Sequence, residues 1–160
     1  MSDDALGSGT KHNASPLVRL SSGAAAWRDE RLVSLWEQGT LCDISVVVDC
    51  RKFKAHRIVL AAASEFMAAL LCDETRWCDS SGSSLSLPEL DPDAFAVILE
   101  YMYTGNASAR EEDLPDLLHA AAHLQTGPLQ REIETAAISS PREGRQDPLL
   151  WWTIADALDL

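Results

Sequence analysis

The feature that most narrows the fold is a β-branched run, Ile44-Ser45-Val46-Val47-Val48, followed after one polar turn by a second, alternating segment. The run suits a short buried strand. Asp49-Cys50-Arg51-Lys52 turns the chain, and Lys52-Phe53-Lys54-Ala55 alternates as its partner should, which predicts a hairpin. One more strand candidate follows, Leu85-Ser86-Leu87, after the polar loop 79–84. Everything else with apolar periodicity is helical. Three short strands cannot cover many helices from both sides, so the predicted class is α+β: a cluster of helices flanking a small three-stranded sheet, with a further C-terminal helix.

The helices announce themselves by spacing and by their ends. Ala24 to Gln38 carries Leu32, Leu35 and Trp36 at i, i+3, i+4, and Gly39 stops it. Arg57 to Leu71 is nearly continuous helix former, broken about Ser64, which predicts two short helices with a bend. Asp91-Pro92 is an N-cap followed by a first-turn proline. The helix it opens carries Phe95, Ile98, Leu99 and Met102 on one face and ends at Thr104-Gly105. Glu111-Glu112-Asp113 place acid at the positive end of the next helix, which runs to about Leu124. Gly127-Pro128 starts another, ending near Ser139.

The 160 residues suit one domain with tails. Residues 1–22 read as a disordered N-terminal tail with one apolar island, Leu17-Val18-Arg19-Leu20; residues 23–139 form the domain; 140–147 are a polar linker; 148–160 read as an amphipathic helix with Trp151 and Trp152. The start lacks the apolar core of a signal peptide, and no stretch approaches the ~20 apolar residues of a membrane span. No membrane partner is therefore expected, and the cytoplasm, the nucleus or both are the expected compartments. Cys42, Cys50, Cys72 and Cys78 form no CxxC pair and read as free thiols.

Charge and motifs exclude most chemistries. Thirteen basic against 25 acidic residues give a net charge of −12, which repels phosphate backbones, so no nucleic-acid partner is expected. Arg51, Lys52, Lys54 and Arg57 read as a salt-bridged edge within that acidic chain. There is no GxSxG, no cysteine with a recognisable His and Asn order and no phosphate-cradling glycine loop, so no catalytic residue, cofactor or small-molecule substrate is expected. His119 and His123 share a helical face at the spacing of a zinc pair, but alanines flank them where a metalloprotease has Glu, and no third ligand is evident. Cys72 and Cys78 lack two further ligands, so no metal is expected there either. His56, at a strand-to-helix corner, reads as a hydrogen-bonded structural residue.

Four segments, in order and with matching spacing, resemble the BTB/POZ domain. They are Gly39–Val48; Phe53–Met67, with Ala55-His56-Arg57 before an apolar triplet and Ser64; Phe95–Gly105, ending Tyr103-Thr104-Gly105; and Leu117–Gln125. The resemblance covers about residues 24–138, and it departs where Glu132-Ile133-Glu134 stand in place of the cysteine usual in the last helix. Residues 148–160 resemble the first helix of a BACK domain; a whole BACK domain needs more residues, so the chain either stops early or is a fragment.

The resemblance implies the BTB/POZ fold and a protein–protein interaction module that homodimerises, not an enzyme. It implies a dimer interface that includes Leu32, Leu35, Trp36 and Leu41. It brings Asp43 and Arg57 together in a charged pocket near the dimer centre; Asp43 capping local backbone beside a solvated Arg57 is the alternative. The kelch-like branch, which the BACK-like tail favours, implies docking to a cullin scaffold and so a ubiquitin-ligase adaptor. The expected cullin surface is Glu65, Asp73, Glu74 and Trp77 with His119 and His123. The rival readings are a corepressor-recruiting module of a transcriptional regulator and a free-standing dimerisation domain. The island Leu17–Leu20 is expected to pair as an exchanged edge strand with the 106–110 segment of a second copy.

Overall fold

The computed structural model describes residues 17–21, 30–72 and 84–139. In chain order its elements are β1 (Leu17–Ser21), α1 (Glu30–Glu37), β2 (Ile44–Val48), β3 (Arg51–Ala55), α2 (Arg57–Ala63), α3 (Glu65–Leu71), β4 (Ser84–Ser86), α4 (Pro92–Thr104), β5 (Asn106–Arg110), a 3-10 turn (Glu111–Asp113), α5 (Leu114–His123) and α6 (Gly127–Ser139). The class is α+β, as the sequence predicts. The expected BACK-like helix and its linker, and the expected helical residues 24–29, lie outside the described residues.

The three-stranded sheet has the order β3-β2-β4. β2 and β3 form the expected hairpin, with Val48 opposite Arg51 and Ile44 opposite Ala55. Its turn is two residues, Asp49-Cys50, not four; Asp49 takes φ +50, a conformation Asp tolerates better than most residues. β4 lies parallel to β2, one residue earlier than expected, and the Leu87 N–H still bonds the Val47 carbonyl at 2.8 Å. Alternation along β2 buries Ile44, Val46 and Val48.

The α4 face drawn from sequence is the centre of the core: Phe95, Ile98, Leu99 and Met102 are all buried. Each such side chain removed from water stabilises the fold by about 1.5–3 kcal/mol. The Asp91 carboxylate accepts from the N–H groups of Asp93 and Ala94, and Gly105 closes the helix at φ +71 with its N–H on the Tyr101 carbonyl. Leu114, Leu117 and Leu118 of α5 and Leu129, Ile133 and Ala137 of α6 complete the core.

One pairing departs from expectation. β1 pairs antiparallel with β5, Leu17 opposite Arg110 and Ser21 opposite Asn106, within one chain. The two segments are those of the predicted exchange, paired here within one copy. A strand that follows the same contacts satisfies the β5 edge from either copy.

Candidate functional site

Because Ser64 interrupts the helix former run, the chain makes a corner between α2 and α3. The buried Ser64 hydroxyl accepts the Met67 N–H at 3.0 Å, capping α3, and donates to the Leu124 carbonyl at the end of α5. That one hydroxyl ties the corner to α5. The side chains of Phe66 on α3 and His123 on α5 then meet, ring centroids 5.0 Å apart. Glu65 is exposed on the first turn of α3, and His119 is exposed one turn before His123. Of the predicted residues here, His123 meets α3 directly through Phe66, the neighbour of Glu65 in sequence. The rest of that predicted surface, Asp73, Glu74 and Trp77, lies outside the described residues, as does Cys78. Next to this face, a cleft of about 560 Å³ opens between the corner and the start of α6, lined by Ser64, Glu65, Tyr101, Gln125 and Arg131.

The second neighbourhood surrounds His56, where β3 becomes α2. His56 is buried, and its Nε2 lies 3.0 Å from the Thr40 carbonyl. A carbonyl only accepts, so Nε2 carries a proton, and in the neutral ring Nδ1 is the acceptor. The Tyr103 hydroxyl donates to Nδ1 at 2.7 Å and accepts from the His56 backbone N–H at 2.8 Å. Burial, partly offset by the bond from the His56 N–H, holds the Tyr103 phenol well above its ordinary range. The Cys42 thiol, 3.9 Å from Nε2, is also pushed up, by burial first and with Lys54 acting against it. His56 is thus hydrogen-bonded structure, as its position in the sequence implies.

The same tyrosine receives α1. The Trp36 indole stacks on Tyr103, centroids 4.4 Å apart and planes 6° from parallel, and its Nε1–H donates to the Lys54 carbonyl at 3.2 Å. Leu32 and Trp36 are half-buried against this chain's own core. Leu35 is half-buried on an open surface it shares with Glu30, Arg31 and Ser34. Beyond Gly39, the Thr40 N–H returns to the Leu35 carbonyl at 2.8 Å, so the turn bearing Leu41 folds back on α1. Leu41 is 76% exposed at φ +60.

Asp43 and Arg57 meet at the start of α2. The Asp43 carboxylate accepts the Arg57 backbone N–H at 2.8 Å and so caps the start of α2 from fourteen residues away. A helix's first N–H groups have no partner within the helix, which makes the backbone a ready recipient for this acid. Arg51 of the basic group forms an ion pair with Asp93.

Ile58, 76% exposed, is the interface candidate that sequence reading missed. In sequence it stands in the apolar triplet Ile58-Val59-Leu60, of which Val59 and Leu60 are buried. The signal was available: three consecutive helical residues span about 200° and cannot all face one core. Thr40 and Asp43 lie against His56 and Arg57, so Leu41 and Ile58 flank the same corner.

The BTB/POZ domain family matches residues 32–141. This chain belongs to the BTB/POZ family. It is 38% identical over 95 residues to zinc finger and BTB domain-containing protein 44 of Xenopus tropicalis, covering 59% of this chain and 21% of that protein. It is 35% identical over 95 residues to kelch-like protein 7 of Homo sapiens, covering 59% of this chain and 16% of that one. The solved BTB domain of zebrafish PATZ1 superposes with a TM-score of 0.60 at 28% identity, over 69% of this chain and 87% of that domain. The BTB/POZ match thus spans about a fifth or less of the length of these curated relatives. The BTB/POZ domain is a protein-interaction module rather than an enzyme family. Where the family cysteine was expected in α6, Glu132 accepts the Tyr101 hydroxyl at 3.0 Å and Ile133 is core.

Proposed function

We propose that this BTB/POZ module homodimerises through the face bearing Leu35, Leu41 and Ile58, with Leu32 and Trp36 supporting it from within. The observation that carries the reading is the exposure of Leu41 and Ile58, 76% each, on two sides of one corner beside α1. Large aliphatic side chains left in water stabilise an assembly that covers them. A two-fold arrangement lets the same patch serve both copies.

The dimer then acts as an adaptor for a cullin-type ubiquitin ligase scaffold, docking it on α3 and α5. Support comes from the contact of Phe66 with His123 and from the open cleft that Glu65 lines. The likeness to kelch-like protein 7 supports the same branch. The likeness to a zinc finger and BTB protein and to the PATZ1 domain favours a second reading, a corepressor-recruiting module of a transcriptional regulator. Cytoplasm and nucleus suit both. Calorimetry with the amino-terminal domain of a cullin separates them. Saturable binding weakened by His119→Ala and Phe66→Ala supports the adaptor; a dimer that does not bind leaves the second reading.

A further inference from the structure

β3 lies at one end of the sheet order, so one side of it meets no strand among the described residues. The hairpin register fixes what that side offers. Val48 opposite Arg51 closes a two-residue turn and is a hydrogen-bonded pair, so Arg51, Phe53 and Ala55 turn their backbone groups toward β2. Lys52 and Lys54 turn theirs outward. The bond from Trp36 Nε1 to the Lys54 carbonyl agrees with this alternation and fills one outward acceptor. The Lys52 N–H and carbonyl and the Lys54 N–H remain on the open side.

This edge forms one wall of a groove of about 430 Å³, lined by Trp36, Gly39, Lys52, Phe53, Lys54 and Leu99, with Glu37 its one acid. Gly39, at φ +65, turns the chain at the end of α1; a Cβ there would sit 3.5 Å from Lys54 Cδ. Both lysines are exposed, and Phe53 between them faces inward onto Phe95 at 5.1 Å. Arg51 is held by Asp93, which leaves the two lysines as the groove's positive charge.

We propose that the open edge of β3 is a second binding site, one that takes an extended acidic peptide of a partner protein as an added strand. Lysines on an edge strand repel another copy of the same edge, which guards against self-pairing. The same lysines favour a strand with carboxylates at alternate positions, because opposite charges across a strand pair are stabilising. The peptide's intervening side chains would meet Phe53, Leu99 and Trp36, and its backbone would meet the outward groups of Lys52 and Lys54. The groove's lining includes neither Leu41, Ile58 nor any residue of α3 or α5, and it shares Trp36 with the support of the proposed dimer face.

The test uses the full chain and two short fluorescein-labelled peptides, one alternating valine with glutamate and one alternating valine with lysine. Fluorescence anisotropy should show saturable binding of the glutamate peptide alone, weakening as salt rises. Lys52→Glu with Lys54→Glu should lower that affinity by about tenfold or more and reverse the preference between peptides. Both lysines are exposed, so the variant should fold; its circular dichroism and unfolding midpoint check that. Amide exchange at Lys52 and Lys54 should slow when the glutamate peptide is bound. No saturable binding, binding indifferent to the charge reversal, or unchanged exchange at both amides each overturns the proposal.

Discussion

The Tyr103 hydroxyl makes two hydrogen bonds to one residue, accepting the His56 backbone N–H at 2.8 Å and donating to its imidazole Nδ1 at 2.7 Å. Its ring stacks at the same time on Trp36. One side chain near the end of α4 thereby holds the start of α2 and the docked position of α1. These are the two elements that border the proposed dimer face.

Removing that hydroxyl separates the two jobs. Tyr103→Phe keeps the stack but leaves His56 Nδ1 and a backbone N–H without their partner. Leaving such buried groups unsatisfied costs about 1–3 kcal/mol. Urea unfolding should show that loss with an unchanged slope against denaturant. Unaltered stability would contradict the role given to this bond.

The raised Tyr103 phenol sets the sign of an alkaline effect. Burial keeps the folded protein's Tyr103 neutral where the unfolded chain's begins to ionise, near pH 10. Its contribution to stability is full below that pH and is lost as pH rises above it. The unfolding midpoint of the wild type should therefore fall more steeply above pH 10 than that of Tyr103→Phe. Parallel curves for the two proteins would count against the assignment.

Ser64→Ala tests the corner. It removes the α3 cap and the bond to the Leu124 carbonyl together, and caps of this kind are worth about 1–2 kcal/mol. Thermal unfolding should register that loss, and any cullin affinity should fall with it, because the corner loses its hydrogen bond to the end of α5 and only packing such as Phe66 on His123 remains. Loss of neither would detach the corner from the proposed docking face.

Val18 faces Ala109 in the β1–β5 pair. A Val18→Cys, Ala109→Cys variant places two cysteines at a separation a disulfide can bridge. On a non-reducing gel after mild oxidation the bond should form inside one chain, as the structure has it. A covalent dimer would instead report the strand exchange read from the sequence.

Local signals made much of this legible beforehand. Asp91-Pro92 and Gly105 bounded α4, Ser64 marked the corner, and the Phe95–Met102 spacing named the core face, because caps and periodicity act within a few residues. What sequence could not yield were links across the chain. Tyr103 meets His56 from 47 positions away, and the Asp43 carboxylate caps the Arg57 backbone N–H from fourteen. The direction of Ile58 was hidden inside an apolar triplet whose helical phase decides which members are core. Which copy supplies the strand opposite β5 depends on a choice between identical contacts, which pattern alone does not make.

A homodimer built on the Leu41–Ile58 corner fixes the mass of the protein in solution. Sedimentation equilibrium at micromolar concentration should give twice the 17.5 kDa chain mass for the wild type. Leu41→Asp with Ile58→Asp, both on exposed positions, should return the single-chain mass while the far-ultraviolet circular dichroism is kept. A wild type that sediments as one chain, or a folded double variant that stays dimeric, would contradict the account.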